Sequence, residues 1–305
     1  MKVTLLSGGT GTPKLLQGFM QLLPQEEIAV VVNTAEDTWL PHGYLSPDID
    51  TVLYTLAGLV NEETWYGLRG DTFATHEQLH RLGFDEFMNI GDLDRATHIM
   101  RGELLRQGLT LEQVTRRLCE AFGIKASVLP MTNQELRSVI VTSQGEMDLH
   151  EFLIKRRAEP DVLGVRFEGR AEACEASVAA IKEADFVVIG PSNPVTSIMP
   201  ILSLKEIRAS LERRRESVVA VSPIVGDRPV SGPADKFLRA FGVEPTPRGV
   251  ACLYRDVAAH MVVDEGEAEL HADGVEVHRT GILMRTPGDK RRLAEFLIKL
   301  MKHRH

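Results

Sequence analysis

KVTLLSGGTGTPKLL, residues 2–16, opens the chain with an apolar run that halts at two glycines and resumes with helical spacing. Lys2 to Ser7 is short and almost wholly apolar, as strands buried on both faces of a parallel sheet are. From Pro13 to Leu23 the residues Leu15, Leu16, Phe19, Met20 and Leu23 recur at a helix period, so the segment predicts a helix. The turn between them is Ser7-Gly8-Gly9-Thr10-Gly11-Thr12-Pro13-Lys14. Its glycines let backbone N–H groups approach an anion, and the positive end of the helix adds to the attraction. Gly9, Thr10, Gly11, Thr12 and Lys14 are therefore candidate anion contacts. The loop lacks P-loop spacing and the third glycine of a dinucleotide fingerprint, so it belongs to neither class.

Working outward, Ile28 to Val32 (IAVVV) predicts a second buried strand. Asn33-Thr34-Ala35-Glu36-Asp37-Thr38-Trp39 follows it. An acid in that position is where a nicotinamide enzyme holds ribose hydroxyls, and Trp39 is a candidate for stacking on a planar ring. Ser46-Pro47-Asp48 reads as a helix start, with a capping hydroxyl, proline at the first position and an acid at the positive dipole end. That dipole accounts for Asp48. Asp50 points to another side of the helix and needs its own reason. Magnesium is usually held by one or two carboxylates plus substrate phosphates, which makes Asp50, and secondarily Asp48, candidates for a metal or proton-accepting role.

The middle, about 61–125, predicts helices over 72–82, 92–106 and 110–122, the last opened by a capping box, Thr110-x-x-Gln113. Asp92 has the position of a helix cap, with Arg95 and His98 as solvated neighbours. Strands are expected at 137–142 and 162–168, with a short helix near 149–155 between them. A βα rhythm then returns: helix 174–184, strand 186–189, the loop Gly190-Pro191-Ser192-Asn193, a helix from about Ser203, strand 218–221, a helix after Gly232-Pro233, strand 282–284 and a closing helix over 289–302. Strands separated by helices imply an α/β fold: a doubly wound, mostly parallel, Rossmann-like sheet in one domain, 1–305, with a mainly helical insertion or cap at about 61–125. Ligands of such sheets bind beyond the strand C-termini where strand order reverses. The strands 2–7 and 186–189, both ending in glycine and small polar residues, are expected to flank that crevice. Ser192, Asn193 and Ser197 then join the anion contacts.

The balance of 35 Lys+Arg against 43 Asp+Glu, net charge −8, argues against a nucleic-acid coat or an anionic-membrane binder. Arg213-Arg214-Arg215 reads as a solvated helix end and His303-Arg304-His305 as a tail. Cys119, Cys174 and Cys252 are odd in number and far apart, so neither a disulfide framework nor a zinc pattern is expected. No apolar run reaches membrane-span length and the opening residues lack a secretion-signal core, so the expectation is a cytoplasmic protein.

Several of these stretches together resemble the 2-phospho-L-lactate transferase family of coenzyme F-420 biosynthesis. They are LLSGGTGTPKLLQG (5–18), NTAED–W (33–39), LSPDIDTVLYTLAG (45–58), NIGDLDRATHIMR (89–101), VVIGPSNPVTSIMPIL (187–202) and SPIVGDRPVSGPADKFL (222–238). The likeness runs in order from the first strand to at least residue 255, departing from many relatives at Gly11-Thr12 and Leu93. It implies transfer of a 2-phospholactyl group from lactyl-2-diphospho-5'-guanosine to the deazaflavin FO (7,8-didemethyl-8-hydroxy-5-deazariboflavin), releasing GMP, with Mg2+ required. By the same likeness, Gly9, Thr10, Gly11, Thr12, Lys14, Ser192, Asn193 and Ser197 would hold the guanosine diphosphate portion. Asp50, Asn89, Asp92 and Trp39 would lie towards FO, with Asp50 orienting the nucleophile. A homodimer is compatible with the sequence. Two other readings stand beside this one: an NAD(P)-dependent dehydrogenase, from the first βα turn with Glu36 and Asp37, and a non-catalytic nucleotide-sugar-binding regulator of the same fold.

Overall fold

A computed structural model describes residues 1–267 and 270–302. The first half of the chain runs β1 (Val3–Ser7), α1 (Gly11–Met20), β2 (Ile28–Val32), a hairpin of β3 (Thr38–Leu40) and β4 (Gly43–Leu45), then α2 (Pro47–Leu56), α3 (Ala74–Arg81), α4 (Asp92–Arg106) and α5 (Leu111–Ala121). The second half runs β5 (Ser127–Pro130), β6 (Arg137–Thr142), β7 (Gly145–Met147), β8 (Val162–Glu168), α6 (Glu175–Glu183), β9 (Phe186–Ile189), α7 (Met199–Ser203), α8 (Lys205–Arg213) and β10 (Val218–Val221). It ends with a small hairpin of β11 (Ile224–Val225) and β12 (Arg228–Pro229), then α9 (Ala234–Ala240), α10 (Pro247–Tyr254), β13 (His260–Val263), β14 (Glu276–Arg279) and α11 (Pro287–Lys302).

Seven strands form one sheet in the order β14-β13-β10-β9-β1-β2-β5, every neighbouring pair parallel. The chain leaves β1 for β2 and β5 on one side, then crosses to β9 and continues outward through β10, β13 and β14. That is the Rossmann order, and its reversal lies between β1 and β9. Alternation along each strand divides the core in two. Leu5, Val30, Val32 and Val188 face a layer built from α1, α2, α5 and α11, while Leu6, Val31, Val187 and Ile189 face α6 to α10. α5 sends Leu111, Val114 and Leu118 into the same core as α1, whereas α3 contributes no buried residue.

Five of the expected strands, 28–32, 137–142, 162–168, 186–189 and 218–221, have the bounds read from the sequence. β6 and β8, however, join β7 in a separate antiparallel sheet. β5, β13 and β14 were not expected: β5 is four residues ending in proline, and β14, Glu-Val-His-Arg, is an edge strand with one apolar side chain. The reverse error falls at 282–284, which is apolar because Ile282 is buried in the core, not because it pairs as a strand. Arg214 is not solvated either. Its guanidinium donates to the carbonyls of Ile181, Lys182 and Ala184, a cationic cap on the negative end of α6. The tail 303–305 lies outside the described residues. No described helix is long and apolar enough to cross a membrane.

Candidate active site

The two glycine-bearing turns meet across the point of strand reversal. A Cβ on Gly11 would lie 1.9 Å from the Pro191 carbonyl oxygen, and one on Gly190 would lie 2.0 Å from Thr12 Oγ1. Only glycine permits such contact. The Thr12 and Ser192 hydroxyls are 2.6 Å apart, and Ser192 Oγ also donates to the Gly8 carbonyl. These two hydroxyls, expected to contact phosphate, are instead spent stapling one turn to the other. Asn193 is likewise occupied, its Oδ1 accepting from Val195 N–H at 3.0 Å and capping the following turn. Ser197 lies against Gly8 and Gly9. Gly9, Thr10 and Gly11 form the mouth of α1, where first-turn N–H groups point outward. Lys14 Nζ stands 5.0 Å from the centroid of the Trp65 ring, and burial with the neighbouring Lys290 lowers its pKa. Lys14 also joins Gly11 and Pro191 in lining a cavity of about 250 Å³ that continues to Ser222, Ser231 and Met284.

Asp48 does more than complement a dipole. Gly9 N–H donates to its Oδ1 at 2.6 Å and Asn33 Nδ2 to its Oδ2 at 2.9 Å, so the start of α2 holds the glycine turn in shape. The expected capping hydroxyl, Ser46, turns away and donates to Asp37 at 2.8 Å. Glu36, Asp37 and Asp48 form an acidic group whose pKa values burial raises, mutual repulsion adding to the shift for Glu36 and Asp37. Glu36 Oε1 and Asp37 Oδ1 are buried with no hydrogen-bond partner among the described residues. Glu36 is buried and burial disfavours its charged form, so it offers no exposed carboxylate to a ribose, and the feature behind the dehydrogenase reading is weakened.

On the other side of α2's first turn, Asp50 lines a cavity of about 330 Å³ with Leu45, Pro47, Tyr66, Phe87, Met88, Asn89, Ile90 and His150. Its carboxylate is held in a bidentate pair by Arg101, with Nη1–Oδ2 at 3.0 Å, while Arg101 also donates to the Tyr44 carbonyl. His98 Nε2 lies 3.3 Å from both Asp50 and Asp94, and Tyr54 Oη donates to Asp94 at 2.7 Å. Burial opposes charge on Asp50, but Arg101 and His98 outweigh it and hold the carboxyl below its ordinary range. Burial likewise opposes charge on His98, but Asp50 and Asp94 raise its pKa to about 9. Two carboxylates, an imidazolium and a guanidinium thus balance one another out of water.

The structure brings Asn89 to the Asp50 cavity but not Asp92 or Trp39. Asp92 accepts from Thr72 Oγ1 and from Ala74 and Thr75 N–H, capping α3, while Asp71 caps α4 in return through Leu93 and Asp94 N–H. The two aspartates exchange caps because the helix starts are neighbours. Trp39 is 49% exposed, edge-on to Tyr44 and under the Arg106 guanidinium, on a different hollow. Arg95 and His98, expected in solvent, are buried: Arg95 pairs with Glu86 and His98 with the two carboxylates. His150 escaped the sequence reading altogether. Its Nε2 lies 2.8 Å from the Glu36 carbonyl, an acceptor, so Nε2 is the donor of that contact.

Fold and site together define a Rossmann-like α/β protein with a glycine-rich turn at its switch point and an apolar cavity beside it. The family model of 2-phospho-L-lactate transferase CofD matches residues 3–294. The 2-phospho-L-lactate transferases of Methanocaldococcus jannaschii and Methanothermobacter thermautotrophicus are 49% identical over 304 residues and 48% over 300, each alignment covering 97% of both chains. Among solved structures, protein BH3568 of Bacillus halodurans aligns with TM-score 0.64 at 15% identity, covering 97% of this chain and 99% of that one, a likeness of fold alone. The chain belongs to the CofD family of 2-phospho-L-lactate transferases and is an enzyme of the transferase class.

Proposed function

We propose that the enzyme transfers a 2-phospholactyl group from lactyl-2-diphospho-5'-guanosine to the terminal ribityl hydroxyl of FO, giving coenzyme F-420-0 and GMP. The observation that carries this is the shared first turn of α2, which faces the glycine turn through Asp48 and the apolar cavity through Asp50. A diphosphate on the glycine turn and a flat tricycle in the cavity would meet across it. The hydroxyl oxygen bonds to the lactate-bearing phosphorus as the bridging P–O bond to GMP breaks. Such transfer depends mainly on alignment and on neutralising charge at the phosphoryl oxygens. Apolar side chains around the cavity suit the deazaflavin ring, and Asn89 and Asp50 offer polar groups to its side chain. His150, in the same wall, would accept the hydroxyl proton.

The residues fit magnesium unequally. Asp48 lies with Glu36 and Asp37 in a buried carboxyl group where Glu36 Oε1 and Asp37 Oδ1 have no hydrogen-bond partner among the described residues, an arrangement that fits a cation. Asp50 already has Arg101 and fits poorly. When bound, the ion neutralises phosphate charge; Asp48 would hold it, and Asp50 would orient FO instead.

Incubation with FO, lactyl-2-diphospho-5'-guanosine and magnesium should release GMP, followed by chromatography. His150→Gln should lower turnover by about 10²-fold or more. No GMP from the intact enzyme would overturn the reading, and full turnover by the variant would remove His150 from the chemistry. Exchanging the lactyl donor for an enolpyruvyl one tests which acid the site prefers.

A further inference from the structure

Away from the cleft, β13 and β14 bring a second set of donors together. His260 opens β13 and lies in register with Glu276, the first residue of β14. His278 lies two residues on, so it shares a face of β14 with Glu276. His278 Nε2 stands 3.3 Å from His260 Nδ1, Glu276 Oε2 stands 3.7 Å from that same nitrogen, and Glu276 Oε1 stands 3.8 Å from His278 Nε2. Because His260 and Glu276 begin their strands, the group sits at the end of the sheet opposite the cleft.

We propose that His260, Glu276 and His278 bind one divalent transition-metal ion of the zinc class, which clamps the edge strand to the sheet. Zinc–nitrogen bonds of about 2.0–2.1 Å at a tetrahedral centre place neighbouring ligands about 3.4 Å apart. The two ring nitrogens already have that separation. The carboxylate, at 3.7 and 3.8 Å, is too far for a hydrogen bond to either ring and a few tenths of an ångström from the spacing an ion needs. Glu276 is 51% exposed, whereas His260 is 2% exposed and held by the strand, so the carboxylate is the ligand that would adjust. Two imidazoles and one carboxylate suit zinc and disfavour magnesium or calcium, which take oxygen. Three protein ligands leave a fourth position for water, entering from the Glu276 side.

The other convergent group, Asp50, Asp94 and His98, has a similar spread of ligand atoms, but its Asp50 is already paired with the Arg101 guanidinium. The edge group has a mechanical use that the cleft does not need. β14 is four residues long and pairs on one side only, and an ion bridging it to β13 would add a cross-link where the backbone ladder ends.

The test uses the full chain, treated with EDTA and dialysed, then titrated with Zn²⁺ against a competing chelator and separately with Co²⁺. The expected result is one tightly bound zinc, a rise in thermal midpoint, and the visible absorption of tetrahedral Co²⁺. Glu276→Gln and His278→Gln, both near the surface, should weaken zinc binding at least about tenfold and lose the Co²⁺ bands while binding GDP as the wild type does. Absence of zinc binding at micromolar free metal, or variants that bind it as tightly as the wild type, would overturn the assignment. Neither outcome bears on the transferase reading, whose residues lie at the other end of the sheet.

Discussion

Arg101 and His98 lie on one face of α4 with no exposed side-chain surface, and between them they hold Asp50 and Asp94. The charge of His98 links stability to pH. Its pKa is about 9 folded against 6.5 for the free side chain, so between these values the folded state holds a proton that the unfolded state has lost. The stabilisation is complete below pH 6.5 and disappears as pH rises through 9, on the order of 3 kcal/mol in all. Urea unfolding across that range should show stability falling with pH, and His98→Gln should flatten the slope. An equal slope in the variant would mean that the buried network titrates elsewhere. These residues were hard to read because α4 is turned inside out: Leu93, Ile99 and Met100 face solvent while Asp94, His98 and Arg101 are buried. Apolar periodicity therefore points to the wrong face. The signal that could have found them was the i, i+4, i+7 spacing of Asp94, His98 and Arg101.

At the scale of elements, the glycine turn depends on a contact that no side chain can share. Gly11→Ala would drive a methyl into the Pro191 carbonyl oxygen, and the two turns would have to part. The expected cost is about 1–3 kcal/mol of stability, with weaker GDP binding, both measurable by denaturation and calorimetry. A variant with wild-type values in both would show that the turns do not touch. The turn itself was legible, since glycines between an apolar run and a helix have few other uses. The capping box Thr110-x-x-Gln113 was legible for the same reason and forms as read. Asp92 was read as a cap, but its carboxylate serves the helix before its own, a choice made by the packing of two helix starts 18 residues apart.

Across the whole molecule, the sheet order places the site. With β1 and β9 adjacent and the chain leaving them in opposite directions, the switch point of the sheet lies where the glycine turns meet. A nucleotide seated there, as proposed, would span both halves of the sheet and bind only the folded chain. GDP at about 100 times its dissociation constant should then raise the unfolding free energy by about 2.7 kcal/mol, while NADH should leave it unchanged. An equal shift from NADH would contradict the cleft as described.

Strand bounds, the α4 span and the capping box follow from neighbours within one or two turns, where period and propensity act directly. The same local logic exposed the βα rhythm and hence the doubly wound class. Pairings such as Thr12 with Ser192 or Asp50 with Arg101 join residues 180 and 51 positions apart. A hydroxyl or carboxylate carries no local mark of its partner. Whether it meets a ligand, a neighbouring turn or a buried guanidinium depends on which groups folding brings within 3 Å and removes from water, because an unpaired polar group there is costly.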